Sequence, residues 1–120
     1  MLHGELSYRI IGCAQRVHGE LGPGLPESVY QRALSTELVA QKIPFEAEAR
    51  FPVAYKGTLC GEFRVDLCVD EKVIVELKAV EALCDQHEAQ LLTYPRAGGL
   101  RVGLLLNFGQ PRLAVKRMVL

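Results

Sequence analysis

The chain has 120 residues, 49% of them apolar, and its 14 basic side chains balance 14 acidic ones. That length fits one domain and leaves no room for two, and a domain of this size buries roughly two-thirds of its unfolded surface without staples. Zero net charge excludes the strong overall field of a dedicated nucleic-acid or membrane binder, although a local basic face remains compatible with it.

Residues 5 to 21 place Leu6, Ile10, Cys13, Ala14, Val17 and Leu21 at helical spacing, and Gly22-Pro23-Gly24 stops the helix. Pro26 and Glu27 open a second helix, with an apolar stripe through Val29, Ala33, Leu34, Leu38 and Val39, that ends near Lys42. Phe45 to Tyr55 alternates around Pro52, as in an edge strand or a broken one. Thr58 to Val69 and Lys72 to Val80 read as a hairpin. Cys84 to Tyr94 returns to helical spacing, with Pro95 predicted to end or kink it. Leu100 to Asn107 is a continuous apolar run, as in a strand buried on both faces, and Leu113 to Leu120 is a last strand. The order is α-α-β-β-β-α-β-β.

The cysteines Cys13, Cys60, Cys68 and Cys84 form no CxxC pair and sit among apolar neighbours, so they read as reduced core thiols and not as zinc ligands. No apolar run approaches the roughly 18 residues of a membrane span, and the first residues lack a cationic stub followed by an apolar block. The expected location is the cytoplasm, away from any membrane.

Chemistry concentrates in VDLCVDEKVIVELKA, residues 65 to 79. Glu76 and Lys78 are two apart on a strand and share a face. A three-residue loop at Asp70, Glu71 and Lys72 pairs Val69 with Val73, and counting back pairs Asp66 with Glu76, their Cβ atoms about 5 Å apart. A two-residue loop sends Asp66 to the other face. Two carboxylates this close require a positive neighbour, either Lys78 or a divalent cation. Magnesium, with manganese as a substitute, suits oxygen ligands from Asp66, Glu76 and the Leu77 backbone carbonyl, leaving Lys78 to polarise water or meet a phosphate oxygen. The plain alternative is an exposed cross-strand charge cluster. Against it, Val73, Ile74, Val75 and Leu77 embed Glu76 in a strand apolar on both faces, where a charge must be paired or metal-bound.

Upstream, GLPESVY puts Glu27 and Tyr30 three apart on one side of the second helix, with Glu27 in a first turn that favours a carboxylate. With the preceding ELGPG, this stretch resembles the signature of the GxxExxY protein family. The likeness continues through VHGELGPGLPESVYQRAL, IPFE, FRVDLCVDEKVIVELKAVE, HEAQLLTY, GLRVGLLLNFG and KRMVL, essentially the whole chain in order. The resemblance is to a compact branch of the PD-(D/E)xK nuclease superfamily. It implies an α/β, restriction-endonuclease-like fold with an αβββαβ core, in which a mixed central sheet is flanked by helices. By the same resemblance Asp66 matches the first acid, Glu76 and Lys78 the (D/E)xK element, Glu27 a helix acid at the metal site, and Gln90 a polar residue turned toward the active site. Two departures stand out: Val65 replaces the proline often found before the first acid, and Pro95 follows Tyr94 where the family pattern continues the helix.

The expected function is therefore magnesium-dependent hydrolysis of phosphodiester bonds in DNA or RNA. Tyr30, Arg64 and Tyr94 are candidate substrate contacts, and Arg96 and Arg101 are further phosphate-binding candidates. Arg64 is two residues before Asp66 and has a second reading, as a counter-ion of the acids. The alternative is a non-catalytic module that keeps the scaffold to bind a protein or nucleic-acid partner. Short length and neutral charge favour that alternative, since gripping a specific duplex site takes roughly 1,000 Å². A homodimer would relieve this limit, with the apolar C-terminal strand as its edge.

Overall fold

The structure, a computed structural model, describes the backbone of residues 1–119 and their side chains apart from those of residues 93–98. The elements run α1 (Gly4–Leu21), α2 (Glu27–Ala40), β1 (Phe45–Tyr55), β2 (Thr58–Val69), β3 (Val73–Lys78), α3 (Asp85–Gly98), β4 (Val102–Asn107) and β5 (Ala114–Val119). This is the order read from the sequence.

The five strands form one sheet in the order β1-β2-β3-β4-β5. β3 and β4 run parallel, Val73 beside Val102 and Lys78 beside Asn107, with α3 as the crossover between them. The other neighbours are antiparallel. All six residues of β4 are buried, as its unbroken apolar run requires of a central strand covered on both faces. β1 is an edge strand, which is how Pro52, lacking an N–H, is accommodated opposite Glu62.

One face of the sheet carries α1 and α2. Ile10, Cys13, Ala14 and Val17 of α1 and Tyr30, Leu34 and Leu38 of α2 pack with Leu67, Val69, Val75, Leu77, Leu104 and Leu106. The other face carries Ile74, Leu105, Cys68, Val65 and Ala49 against Leu91 of α3. Helices on both faces of a mixed sheet make the restriction-endonuclease-like α/β core. No helix among the described residues is long and apolar enough to cross a membrane.

Three expectations need correction. α3 passes Pro95 and ends at Gly98. A proline φ is itself helical, so continuation costs one ladder hydrogen bond and local crowding without forcing a stop. Cys13 and Cys68 are buried thiols, but Cys60 and Cys84 are exposed: one lies on the distal β1–β2 ribbon, beyond the reach of the core, and the other in the turn before α3. Arg101, a candidate phosphate ligand, sits just before β4, at the opposite end of that strand from Lys78.

The chain after β3 is fixed by a wholly buried Asn107. Its Oδ1 accepts from Val80 N–H (3.1 Å) and Gly109 N–H (3.0 Å), and its Nδ2 donates to the Val80 carbonyl (3.0 Å). Phe108 N–H donates to the Lys78 carbonyl at 2.8 Å. Gly109 lies so close to the Val80 backbone that a Cβ there would stand 2.3 Å from the Val80 oxygen. We expect Gly109→Ala to lower unfolding stability by about 1–3 kcal/mol through this backbone clash, read by urea denaturation.

Candidate active site

The site forms where the sheet forks. The β2–β3 turn is the three-residue one: Asp70 (φ 52°) and Glu71 (φ 55°) are left-handed, and Lys72 N–H donates to the Val69 carbonyl at 3.0 Å. Val69 therefore pairs with Val73, Cys68 with Ile74 and Leu67 with Val75. The next pair in this register is Asp66 with Glu76, but the ladder stops short of it. The β1–β2 ladder also skips the Glu48–Asp66 position, and Glu48 has φ 55° in mid-strand. Leu67 and Val69 face α1 and α2, whereas Val65 joins the α3-side cluster. Strand alternation is thus broken at Asp66, where the chain rotates away from β3.

Side chains replace the missing ladder bonds. Asp66 N–H donates to Glu76 Oε1 at 2.9 Å, and Leu77 N–H donates to Asp66 Oδ2 at 2.8 Å. Each acid thus holds the other's strand and has a second oxygen beyond this exchange. On a strand, a residue's N–H and C=O point to the same edge, so the Leu77 carbonyl faces the same gap as its N–H.

Glu76 is only 8% exposed. Burial, then the Asp66 charge, push its carboxyl up to about 8, against the opposing Asp66 N–H bond and Lys78. Asp66 is half-buried and is also raised, by burial and by Glu48 and Glu27, while the Leu77 N–H and Lys78 oppose. Without a cation the pair keeps a proton near neutral pH. The half-buried Lys78 ammonium makes no ion pair among the described residues, and its charge favours ionisation of both acids.

Glu27, the exposed first residue of α2, acts electrostatically on Asp66. Tyr30 positions it. Expected as a substrate contact, Tyr30 is instead wholly buried: its hydroxyl donates to the Gly22 carbonyl and accepts from Leu25 N–H (3.1 Å), and its ring stacks on Phe108 at 4.6 Å. It staples the turn before Glu27, in which Gly24 takes φ 106°, a conformation that suits glycine. Arg64 is exposed and its Nε pairs with Glu48 Oε2 at 3.0 Å, so it neutralises an acid next to Asp66. Gln90 is exposed on α3, and no hydrogen bond joins it to the acids among the described residues. The side chains of Tyr94 and Arg96 lie outside the described residues.

The sequence reading missed Glu48. Its carboxylate accepts from Gln31 Nε2 (Oε1, 3.0 Å) as well as Arg64, and it heads the charges that raise Asp66. Counting register from the Lys56–Gly57 turn, where Tyr55 pairs with Thr58, places Ala47 across from Asp66. An irregularity between Val53 and Ala54 shifts the register by one and brings Glu48 there. Among the described residues no group of three or more His, Cys, Asp or Glu side chains is close enough to hold a metal ion, so the acid set is the Asp66–Glu76 pair with Glu27 and Glu48 further out.

A profile of the PD-(D/E)XK nuclease superfamily matches residues 4–118, and the chain belongs to that superfamily. Its name contains the Glu-x-Lys spacing of Glu76 and Lys78. No curated protein matches the chain. Among solved structures, the one titled "Crystal structure of SSO0001" superposes with a TM-score of 0.62 at 18% identity, over 77% of this chain and 48% of that one. The likeness is one of fold, and this chain spans about half the length of that protein. Membership supports a nuclease-type function in general, in a superfamily whose nucleases typically use divalent metals.

The raised Glu76 pKa sets a sign for stability. The folded protein binds the Glu76 proton more tightly than the unfolded chain, so this contribution is complete below the ordinary carboxyl value near 4.5 and is lost as pH rises toward about 8. In metal-free buffer, urea denaturation should show stability falling over that interval. Glu76→Gln should flatten the fall and be the more stable protein at pH 8.5.

Proposed function

We propose that the chain is a magnesium-dependent nuclease of the compact GxxExxY type that hydrolyses phosphodiester bonds in DNA or RNA. The observation that carries this reading is the interlocked Asp66–Glu76 pair, one carboxyl deeply buried and both raised, with a lysine two residues along β3 that makes no ion pair among the described residues. The donor set fits a hard divalent ion: carboxylate oxygens, a backbone carbonyl and no sulfur or imidazole. Its mutual repulsion is what such an ion relieves. Asp66, Glu76 and the Leu77 carbonyl would hold magnesium, or manganese in its place, with Glu27 contributing through water. The ion supplies Lewis-acid charge to the phosphate and lowers the pKa of bound water.

The chain's own residues do the rest. Glu76 and Asp66 keep each other in place through backbone amides, so the ligands need little reordering when charge develops. Lys78 orients the attacking water and offsets charge building on the phosphate oxygens. Its carbonyl is tied to Phe108 N–H, and the Asn107 clamp holds the next residues, so the ammonium projects from a fixed strand. Gln90 is assigned a water-positioning role by its match to the superfamily pattern.

We expect Glu76→Gln and Lys78→Ala each to lower magnesium-dependent cleavage of a labelled oligonucleotide by about 100- to 1,000-fold, the scale of losing one preorganised electrostatic group, with the circular dichroism spectrum kept. Cleavage that survives both substitutions would refute the assignment. Saturating magnesium should also raise the melting temperature of the wild type, since about 100 times Kd adds about 2.7 kcal/mol, and should leave Asp66→Asn nearly unmoved. Absence of a metal shift in the wild type would favour the non-catalytic binding module.

A further inference from the structure

A groove of about 550 Å³ runs between α2 and β1, lined by Ser28, Gln31, Arg32, Ser35, Thr36 and Glu48. Its helix wall begins one residue after Glu27, and its strand wall ends at Glu48, the residue that faces Asp66 across the interrupted ladder. The groove therefore ends at a residue that adjoins the candidate active site. The wall from Ser28 to Thr36 spans about 12 Å at 1.5 Å per residue, more than one nucleotide step of a strand.

The lining has the chemistry of a sugar–phosphate contact. Ser28 and Ser35 present hydroxyls on one side of α2. The one acid of the groove is already occupied: Glu48 Oε1 accepts from Gln31 Nε2 and Oε2 pairs with Arg64 Nε, both at 3.0 Å. Arg32 is exposed and makes no ion pair among the described residues, so its guanidinium is the uncompensated charge of the groove. The Thr36 hydroxyl donates to the Arg32 carbonyl at 2.9 Å, so it is already engaged within the helix. Hydroxyls with a planar cationic fork are the groups that hold phosphate and sugar oxygens and fix a strand's register without reading bases.

We propose that the α2–β1 groove binds the backbone of the substrate strand flanking the bond to be cut, with Arg32 on a phosphate and Ser28 and Ser35 on sugar or phosphate oxygens. The proposal rests on the nuclease reading and adds to it the path of the strand. The contacts assigned are to sugar and phosphate oxygens, which carry no base identity, so they fix the strand's path without selecting a sequence.

The test uses fluorescein-labelled single-stranded DNA and RNA oligonucleotides. Binding is measured by anisotropy in the Lys78→Ala background, so that the strand stays intact, and cleavage is measured in the otherwise wild-type protein. Arg32→Ala should weaken binding about tenfold and lower the slope of log affinity against log salt by about 0.7, the share of one single-strand phosphate contact. It should raise KM with kcat and melting temperature unchanged. Lys72→Ala, in the turn before β3 at the end away from Lys78, should change neither KM nor the salt slope. If the wild type cleaves but Arg32→Ala keeps the wild-type KM and salt slope, the groove proposal is overturned and the nuclease reading stands. If the wild type neither binds nor cleaves either nucleic acid, both fall.

Discussion

Asp66 and Glu76 hold each other's backbones, and the site depends on that exchange. A sheet that continued its ladder would give the Leu77 N–H to the backbone of β2 and close the gap between the strands. Here a carboxylate accepts it, the strands part, and two acids are left in a half-dry cleft with Lys78 as their nearest compensation. Bonds from backbone N–H groups favour the ionised acids, whereas burial and the neighbouring charges favour protonation, and burial dominates. The pair therefore holds a proton near neutral pH, the state that relieves its repulsion.

Rigid supports surround this fork. Tyr30 staples the glycine turn that delivers Glu27, and its ring lies on Phe108, the residue whose N–H fixes the Lys78 carbonyl. The helix acid and the strand lysine are thus tied to one aromatic stack in the core. Asn107 and Gly109 complete the arrangement from the other side of β3. Tyr30, Phe108 and Asn107 are wholly buried, and each helps determine where a charged neighbour sits.

Much of this was legible in the sequence. The eight elements, the hairpin register and the burial of β4 follow from periodicity and from a three-residue turn, because those patterns are local or involve strands joined by short loops. Residues whose surroundings depend on distant packing were harder to read. Tyr30 shares a helix side with Glu27, and spacing alone cannot tell a rim aromatic from one sunk beneath Phe108. Glu48 lay in a stretch read only as an edge or broken strand, and the irregularity between Val53 and Ala54 that brings it opposite Asp66 has no local signature in the sequence. Pro95 was expected to end or kink the helix; it does not end it, since helical φ and one lost bond are compatible with helix as far as Gly98.

The ribbon of β1 and β2 beyond Asp66 has no third strand, since only Leu67–Val69 of β2 pair with β3. It is braced at its root by Phe51 stacked on Phe63 at 5.2 Å, and its tip exposes Tyr55 and Leu59. Two strands alone are marginal in water. The tip is accordingly the part of the sheet where amide protons should exchange soonest, and where residues can be gained or lost in cross-strand pairs without moving an acid. The ribbon's length can thus vary while the paired acids stay anchored at the fork.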